Sequence, residues 1–387
     1  MMKLFITISF AAILLLAPVA VAQSLQSELY EDISDDNLDD FSHIEAAFII
    51  SGADSEGVLE DASSWFQKLL GDIRSKRIVD VFEKESSAAR LFQYLHATWL
   101  KTYVKEATTL LDIMERKEFN CVSATILYNL TCDEMGLQTM AFETPTHVYT
   151  IFSNFERTVM VENTTPIGFN IYKNLNAYSR YMRQYYPENR MYQIGLDRLY
   201  AYENAHGRRI TNTELLGLIS YNQAYFAFED KNYDDSYAYV LLAQQFNRDS
   251  RSNQRFEKRL YYAHGKVLFS DKNYPRAFQL FADAAYRYPD NPDFRKNCIA
   301  AFMNALKSRR GETGWQDVVQ MHYEMLDLDI LGDKELRFLR QYLLQRAEVF
   351  IRTDKMDQAT QAVGLLRDMG IYDDHVKSLE RVIDNLH

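Results

Sequence analysis

The stretch that decides the fold is residues 118–168, EFNCVSATILYNLTCDEMGLQTMAFETPTHVYTIFSNFERTVMVENTTPIG. Its first third spaces apolar residues as on the buried face of a helix, which predicts a helix that begins at Cys121 and ends at Gly136. Beyond that glycine the pattern changes to that of short strands separated by turn residues. The predicted strands are residues 137–142, 147–152 and 158–162.

Three polar side chains of this stretch are suited to thiol chemistry. Cys121 begins the predicted helix, where unpaired backbone N–H groups and the helix dipole favour a negative charge. His147 begins the second strand and Glu162 ends the third, so an antiparallel pairing of these strands can bring the two residues together. A nucleophilic thiol needs a basic partner, and an imidazole needs an acceptor that fixes its orientation. The three residues can supply these parts.

Three short motifs in this stretch carry a resemblance to a known family. They are Asn-Cys-Val-Ser at 120–123, Pro-Thr-His-Val-Tyr at 145–149 and Glu-Asn-Thr-Thr-Pro at 162–166. In order and spacing they resemble the transglutaminase-like superfamily of cysteine proteins, which has a papain-like core. The likeness is greatest to the exported bacterial branch that carries tetratricopeptide repeats. The resemblance implies that Cys121 is the nucleophile, His147 the base and Glu162 the orienting acid.

The sequence departs from the family pattern in two respects. The wider superfamily usually has aspartate where this chain has Glu162, and Asn163 is a rival for the same role because an amide can also orient the ring. No motif identifies the donor of an oxyanion hole. The candidates are the backbone N–H of Cys121 and the side chains of Gln93, Tyr94, Trp99 and Tyr103.

The first 22 residues are typical of a signal peptide. Lys3 precedes an apolar run that Pro18 breaks, and residues 20–22 offer a cleavage site with small residues. The run is shorter than the ~20 residues that span a bilayer. The protein is therefore expected to be exported, to the periplasm or outside the cell. Residues 23–42 are rich in aspartate and glutamate and are expected to form a disordered, acidic leader.

Composition and motif content exclude several classes of function. The net charge is −11, which disfavours nucleic acid and anionic lipid as partners. No later segment is long and apolar enough for membrane insertion. Metal-hydrolase spacing and a phosphate loop are absent from the sequence, so no metal or cofactor is expected. The three cysteines make no disulfide framework, because Cys121 and Cys132 lie about 16 Å apart along one helix.

Residues 43–170 are expected to form the transglutaminase-like domain. Before the decisive stretch, apolar residues at helical spacing predict four helices. These helices are residues 44–50, 65–73, 88–104 and 107–114. They are expected to pack on the sheet and to shape a cleft above Cys121. His96 lies on the third of them and is interpreted as a packed or capping residue.

The remainder of the chain predicts helical repeats. Residues 171–212 are rich in tyrosine and are interpreted as a segment that packs one domain on the next. From 213 to 387 a period of 41 residues relates Tyr233, Tyr274, Trp315 and Met356, and each is expected to begin the second helix of a helix-turn-helix unit. The second unit fits the tetratricopeptide pattern best. Its matching residues are Gly265, Ala277, Phe281, Ala284 and Pro289.

The expected fold class is therefore α+β and mostly helical, with a papain-like transglutaminase core followed by an all-α solenoid. Two functions are consistent with this organisation. The first is a cysteine protease, amidase or acyl transferase that acts on a protein or peptide through a thioester on Cys121. The second is a catalytically inactive binding module, in which the repeats recruit a protein partner.

Overall fold

The structure of the chain, a computed structural model, describes residues 24–80, 82–153, 158–171, 205–308 and 314–386. The predicted signal peptide and most of the tyrosine-rich segment lie outside the described residues. The described chain is mostly helical with a small region of sheet, which confirms the mostly helical α+β class. It divides between Asn253 and Gln254 into two compact units.

The first unit contains eight helices among its described residues. They are α1 Leu25–Asp32, α2 His43–Ile50, α3 Glu56–Ser75, α4 Lys84–Thr98, α5 Leu110–Arg116, α6 Cys121–Glu134, α7 Asn212–Glu229 and α8 Tyr233–Phe246. Capping boxes, in which side chains satisfy the first free N–H groups, begin α2, α5, α6 and α7. Helix α6 ends before Gly136, whose φ of 71° places it in the left-handed region, as predicted.

The strands of the first unit form two sheets. They are β1 Thr102–Tyr103, β2 Glu118–Phe119, β3 Thr139–Glu143, β4 Val148–Ser153, β5 Thr158–Val161 and β6 Arg208–Ile210. Strands β1 and β2 form a short parallel pair, and the other four form an antiparallel sheet in the order β5-β4-β3-β6. Helix α6 contacts β3 and β4, which places it against the sheet.

The structure differs from the sequence expectations at several elements. The third predicted helix, residues 88–104, ends at Thr98 as α4, and Tyr103 lies instead in β1. The sheet has a fourth strand, β6, which the sequence pattern did not indicate. The first helix pair of the expected repeat region, α7 and α8, belongs to the first of the two compact units.

The acidic leader is ordered rather than disordered. Helix α1 and a short 3-10 turn at Ile33–Asp35 occupy this segment, and Leu29 and Ile33 are fully buried in the core. The carboxylate of Asp32 accepts hydrogen bonds from the backbone N–H groups of three following residues. These are Asp39, Asp40 and Phe41, at 2.8–3.1 Å. Burial of two apolar side chains and this capped loop together order a segment that composition alone describes as solvated.

The helices of the repeat region are α9 Arg251–Ser270, α10 Tyr274–Arg287, α11 Pro292–Ser308, α12 Trp315–Leu328, α13 Asp333–Arg352, α14 Met356–Asp368 and α15 Asp374–Leu386. The unit boundary falls within α9. Helix α10 contacts α11 and α12, while α14 contacts α12, α13 and α15. Each of these helices thus contacts helices one and two places away in sequence, which is typical of a helical array.

The period of 41 residues is confirmed at each of its anchors. Helices α8, α10, α12 and α14 begin at Tyr233, Tyr274, Trp315 and Met356. The turns before three of them contain a left-handed residue two positions upstream, with φ between 57° and 62°. These residues are Lys231, Lys272 and Asp354. The repeated turn geometry shows that the repeat extends to the backbone and is not a chance spacing of aromatic residues.

Candidate active site

Cys121 is held at the first position of α6 by the residues on both sides of it. The side chain of Asn120 accepts hydrogen bonds from the backbone N–H groups of Val122 (2.8 Å) and Ser123 (3.2 Å). The Ser123 hydroxyl accepts from the N–H of Asn120 (3.0 Å) and donates to the carbonyl of Ala107 (2.7 Å). This reciprocal cap leaves the partly buried thiol of Cys121 at the positive end of the helix.

His147 lies one residue before β4, in the turn that connects it to β3. Its backbone N–H donates to the hydroxyl of Thr144 (3.1 Å), and its carbonyl accepts from the N–H of Thr144 (2.8 Å). Only 2% of its side chain is exposed. The backbone of His147 is thus fixed independently of its ring.

Glu162 lies one residue beyond β5 and is fully buried. Its Oε2 atom is 2.9 Å from Nε2 of His147. Its Oε1 atom accepts from the backbone N–H of Thr164 (2.9 Å) and from the Thr164 hydroxyl. Because an ionised carboxylate can only accept, the imidazole donates through Nε2. Nδ1 is then the ring nitrogen that remains for Cys121.

The electrostatics couple all three predicted residues. Burial alone lowers the pKa of His147. The charges of Glu162 and Cys121, together with hydrogen bonds to both side chains, outweigh burial and raise this pKa to about 10. The imidazole is therefore protonated at neutral pH, which places a positive charge beside the sulfur of Cys121. The structure thus brings together the three residues that the sequence singled out.

Asn163 does not take part in orienting the ring. Its amide group donates to the hydroxyls of Thr150 (2.8 Å) and Thr125 (3.1 Å), on the side of the sheet that faces α6. Successive residues of an extended segment point to opposite sides. Glu162 therefore faces His147, and the next residue faces the core.

His96 is a neighbour of this site that the sequence did not reveal. It is buried in α4, with its ring 4.6 Å from that of Phe92 and 6.1 Å from that of Phe119. Burial lowers its pKa to about 4, although the charge of Glu162 and a hydrogen bond with the backbone of Asn163 raise it. The expectation of a packed histidine is confirmed, but its proximity to the acid is a tertiary feature. The sequence signal that indicated its burial is its position four residues after Phe92, on the same face of the helix.

The candidates for an oxyanion donor lie in different surroundings. Gln93 donates its side-chain amide to the carbonyl of Pro166 (2.9 Å), and the hydroxyl of Tyr94 bonds to Asp72 (3.3 Å). Trp99 packs edge-on against Trp65 at 4.9 Å. Tyr103 packs against Phe119, which lies two residues before Cys121. Tyr103 is therefore the candidate side chain whose position is tied most directly to the nucleophile.

The other two cysteines are core residues. Both Cys132 and Cys298 are buried and free. Burial raises the pKa of Cys132 well above its ordinary range and that of Cys298 to about 12. Neither thiol is suited to nucleophilic chemistry.

Within the described residues, no group of three histidine, cysteine or acidic side chains is arranged to hold a metal ion. In the same part of the chain, no helix combines the length and apolar character needed to cross a membrane. Searches with the sequence find no matching family model and no significantly similar curated protein.

Proposed function

We propose that the first unit is a cysteine hydrolase or acyl transferase that acts through a thioester on Cys121. The observation that carries the proposal is the buried contact between His147 and Glu162, coupled to a thiol at a helix start. A protonated imidazole held by a carboxylate is the partner that maintains a thiolate. Burying such a pair costs several kcal/mol of desolvation, so its position next to a thiol favours a chemical role.

The proposed reaction has two stages. The sulfur of Cys121 attacks the carbonyl carbon of an amide or ester, and the carbonyl electrons move to its oxygen. As the tetrahedral species collapses, His147 donates its proton to the departing amine or alcohol, and a thioester remains. His147 then accepts a proton from an attacking water or amine, whose attack on the thioester carbon releases the acyl group and leaves Cys121 as a thiolate beside the protonated imidazole. Glu162 holds the ring through both stages.

The family assignment belongs to the same proposal. The site has a cysteine at the start of α6, a histidine just before β4 and an acid just after β5. This order supports a transglutaminase-like protein with a papain-like core. The helical array, with Gly265 packed against Phe281 at the predicted positions, supports tetratricopeptide-like repeats that bind a protein or peptide. The apolar run and cleavage site at residues 1–22 support export to the periplasm or beyond.

The test is the rate at which iodoacetamide alkylates the full-length protein across a pH range. A thiol with an ordinary pKa of about 8.5 loses roughly tenfold in reactivity for each pH unit below that value. The parent protein is expected to incorporate one label rapidly even near pH 6. Cys121→Ser should incorporate none in the same time, and Cys298→Ser should behave as the parent because its thiol is buried.

Two results would contradict the proposal. One is a parent protein whose labelling falls tenfold per pH unit like that of a free thiol. The other is Cys121→Ser labelled as fast as the parent. Activity itself is measured by the release of labelled peptides from a protein digest and by the transfer of a fluorescent amine. His147→Ala is expected to lose both reactions. Retention of a bound peptide without its turnover would instead identify the unit as the inactive binding module.

A further inference from the structure

A network of hydrogen-bonded polar side chains begins next to the candidate acid, in the core of the first unit, and ends at half-buried Asn212 and exposed Asp133. The amide of Asn163 donates to the hydroxyl of Thr150 (2.8 Å), which donates to Oδ1 of Asn129 (2.6 Å). The amide of Asn129 donates to Oδ1 of Asn212 (3.1 Å), whose own amide donates to the carboxylate of Asp133. Four separate elements are thereby joined: the β5–Glu162 segment, β4, α6 and α7.

The donors of this chain all point in one direction. Thr150, Asn129 and Asn212 each accept a hydrogen bond from one neighbour and donate to the next, and the last acceptor is the carboxylate of Asp133. Hydrogen bonds arranged in this way polarise and strengthen one another. Asn163, Thr150 and Asn129 are fully buried, where any polar group that lost its partner would be costly. The chain therefore specifies one arrangement of these elements.

Both ends of the chain have a defined place relative to the site. Asn163 directly follows Glu162, and Thr150 lies three residues after His147 on the strand that the histidine precedes. Asn212 is the first residue of α7, the helix that the sequence assigned to the repeats. The network thus connects the segment that contains the acid to the start of α7, which lies 50 residues after Glu162 in the sequence.

A second link ties the histidine side of the site to the same helix pair. Arg208 in β6 contacts Glu143 at the end of β3 (3.1 Å) and Glu214 in α7 (2.8 Å), and it donates to the side chain of Asn247 after α8. Glu143 is adjacent to Thr144, which holds the backbone of His147. Both the histidine turn and the acid segment are thus fixed to the pair formed by α7 and α8.

We infer that Asn163, Thr150, Asn129 and Asn212 are positioning residues that hold Glu162 against His147, and that α7 is part of the machinery of this site. The inference rests on the proposed function, because it assigns a role to the polar chain in that site. The amide of Asn163 anchors the backbone next to the acid, and the chain transmits the position of α7 to that anchor. A helix assigned by sequence to partner binding therefore completes the catalytic unit.

The central experiment compares Thr150→Val with Thr150→Ser in the full-length protein. Valine has nearly the same shape as threonine but cannot accept from Asn163 or donate to Asn129, whereas serine keeps the hydroxyl. Thr150→Val is expected to lower the rate of Cys121 alkylation near pH 6 on the order of 10- to 100-fold, as displacement of a positioned group does. Thr150→Ser should restore most of the rate.

The end of the polar network at Asn212 can be tested with a matched control on the same helix, α7. Asn212→Ala removes the link in α7 and is expected to lower the rate near pH 6 several-fold. Asn222 lies on the same helix, and its amide donates to the hydroxyl of Thr108 at 2.9 Å, outside the chain. Asn222→Ala should leave the pH profile of alkylation unchanged.

A spectroscopic readout separates this inference from the proposed function. In protein with ¹⁵N-labelled histidine, the Nε2 proton shared with Glu162 is expected to give a low-field signal that His147→Gln lacks. Thr150→Val should shift or abolish the signal, while Thr150→Ser and Asn222→Ala retain it. A signal and pH profile that are unchanged in Thr150→Val and Asn212→Ala, with only the melting temperature lowered, would overturn the inference.

The two ideas fail in different ways. If Cys121 of the parent protein reacts as an ordinary thiol while the low-field signal still depends on Thr150, the proposed function is wrong and the positioning inference holds. If Cys121 is activated and the signal is indifferent to Thr150, the inference is wrong and the proposed function holds.

Discussion

The two units differ in the distance along the chain that their buried polar contacts span. In the first unit, Asn129 and Asn212 bond across 83 positions of sequence. In the second unit, the contacts join helices one or two places apart in the array, as between Tyr261 and Asp283, 22 positions apart, and between Trp315 and Gln361, 46 positions apart. A helical array is stabilised by contacts between adjacent repeats, whereas a site made from a helix start, a turn and a strand end needs long-range links to fix its geometry.

The largest effect is expected from breaking the buried pair in the first unit. Glu162→Leu leaves His147 without its acceptor, and removal of one partner of a buried ion pair costs about 3–5 kcal/mol. Hydrogen exchange of residues 121–134 should accelerate accordingly. Lys76→Ala removes an exposed ion pair with Asp72 and should leave this exchange unchanged. Equal exchange in the two variants would show that the His147–Glu162 contact contributes nothing to the fold.

The next comparison uses the opposite responses of two buried histidines to pH. The pKa of His147 is raised to about 10, so its contribution to stability is complete below 6.5 and is lost as the pH rises through 10. His322 in α12 is fully buried, and within the described residues neither ring nitrogen has a hydrogen-bond partner. Burial lowers its pKa to about 4, so its contribution is complete above 6.5 and is lost as the pH falls through 4.

The effect of His147 should therefore appear as a loss of protection at high pH, and that of His322 as a loss of protection in α12 at low pH. His96, whose pKa is also lowered to about 4, adds an acid response in the first unit. Hydrogen exchange corrected for the intrinsic pH dependence of amide exchange measures the two responses separately. His322→Leu is expected to reduce the acid sensitivity of α12, and His375→Gln, at an exposed position, serves as its control. Acid sensitivity that persists in His322→Leu would assign the effect to other groups.

A smaller effect is expected from two glycines in helices of the second unit. A Cβ atom added at Gly265 would lie 2.1 Å from the ring of Phe281, whereas one added at Gly364 has no neighbour within 4 Å. Gly265→Ala should destabilise the array by about 1–3 kcal/mol through overpacking. Gly364→Ala should stabilise it by roughly 0.5–1 kcal/mol because alanine favours a helix. Urea unfolding measures both, and the same sign for both variants would contradict the packing.

The smallest effect concerns the repeated turns. Lys272 adopts a φ of 57°, a region in which a side chain is strained and glycine is not. Lys272→Gly is expected to raise the stability of the second unit by about 0.5 kcal/mol, after the entropic disadvantage of glycine is subtracted. Lys266→Gly, within α9, is the matched control and should lower it. The melting temperatures of the two variants decide the point.

Much of the local structure followed from short-range patterns. The start of α6 at Cys121, its end before Gly136 and the three strands β3 to β5 were predicted within one or two residues. The starts of the four helices at the 41-residue anchors were predicted to the correct residue. Spacing with a period of two or 3.6 residues, and the residues that cap helices, act between near neighbours in sequence. Such features can be determined by the sequence alone.

The tertiary structure decided which residues meet. Glu162 was the predicted acid and Asn163 its rival in sequence, and only the path of the chain beyond β5 turns the first towards His147 and the second into the core. The same packing orders the acidic leader, brings His96 near the acid and assigns α7 to the first unit. Each of these features depends on burial and on contacts between elements that are distant in sequence. A local sequence pattern does not determine which distant residue a side chain will contact.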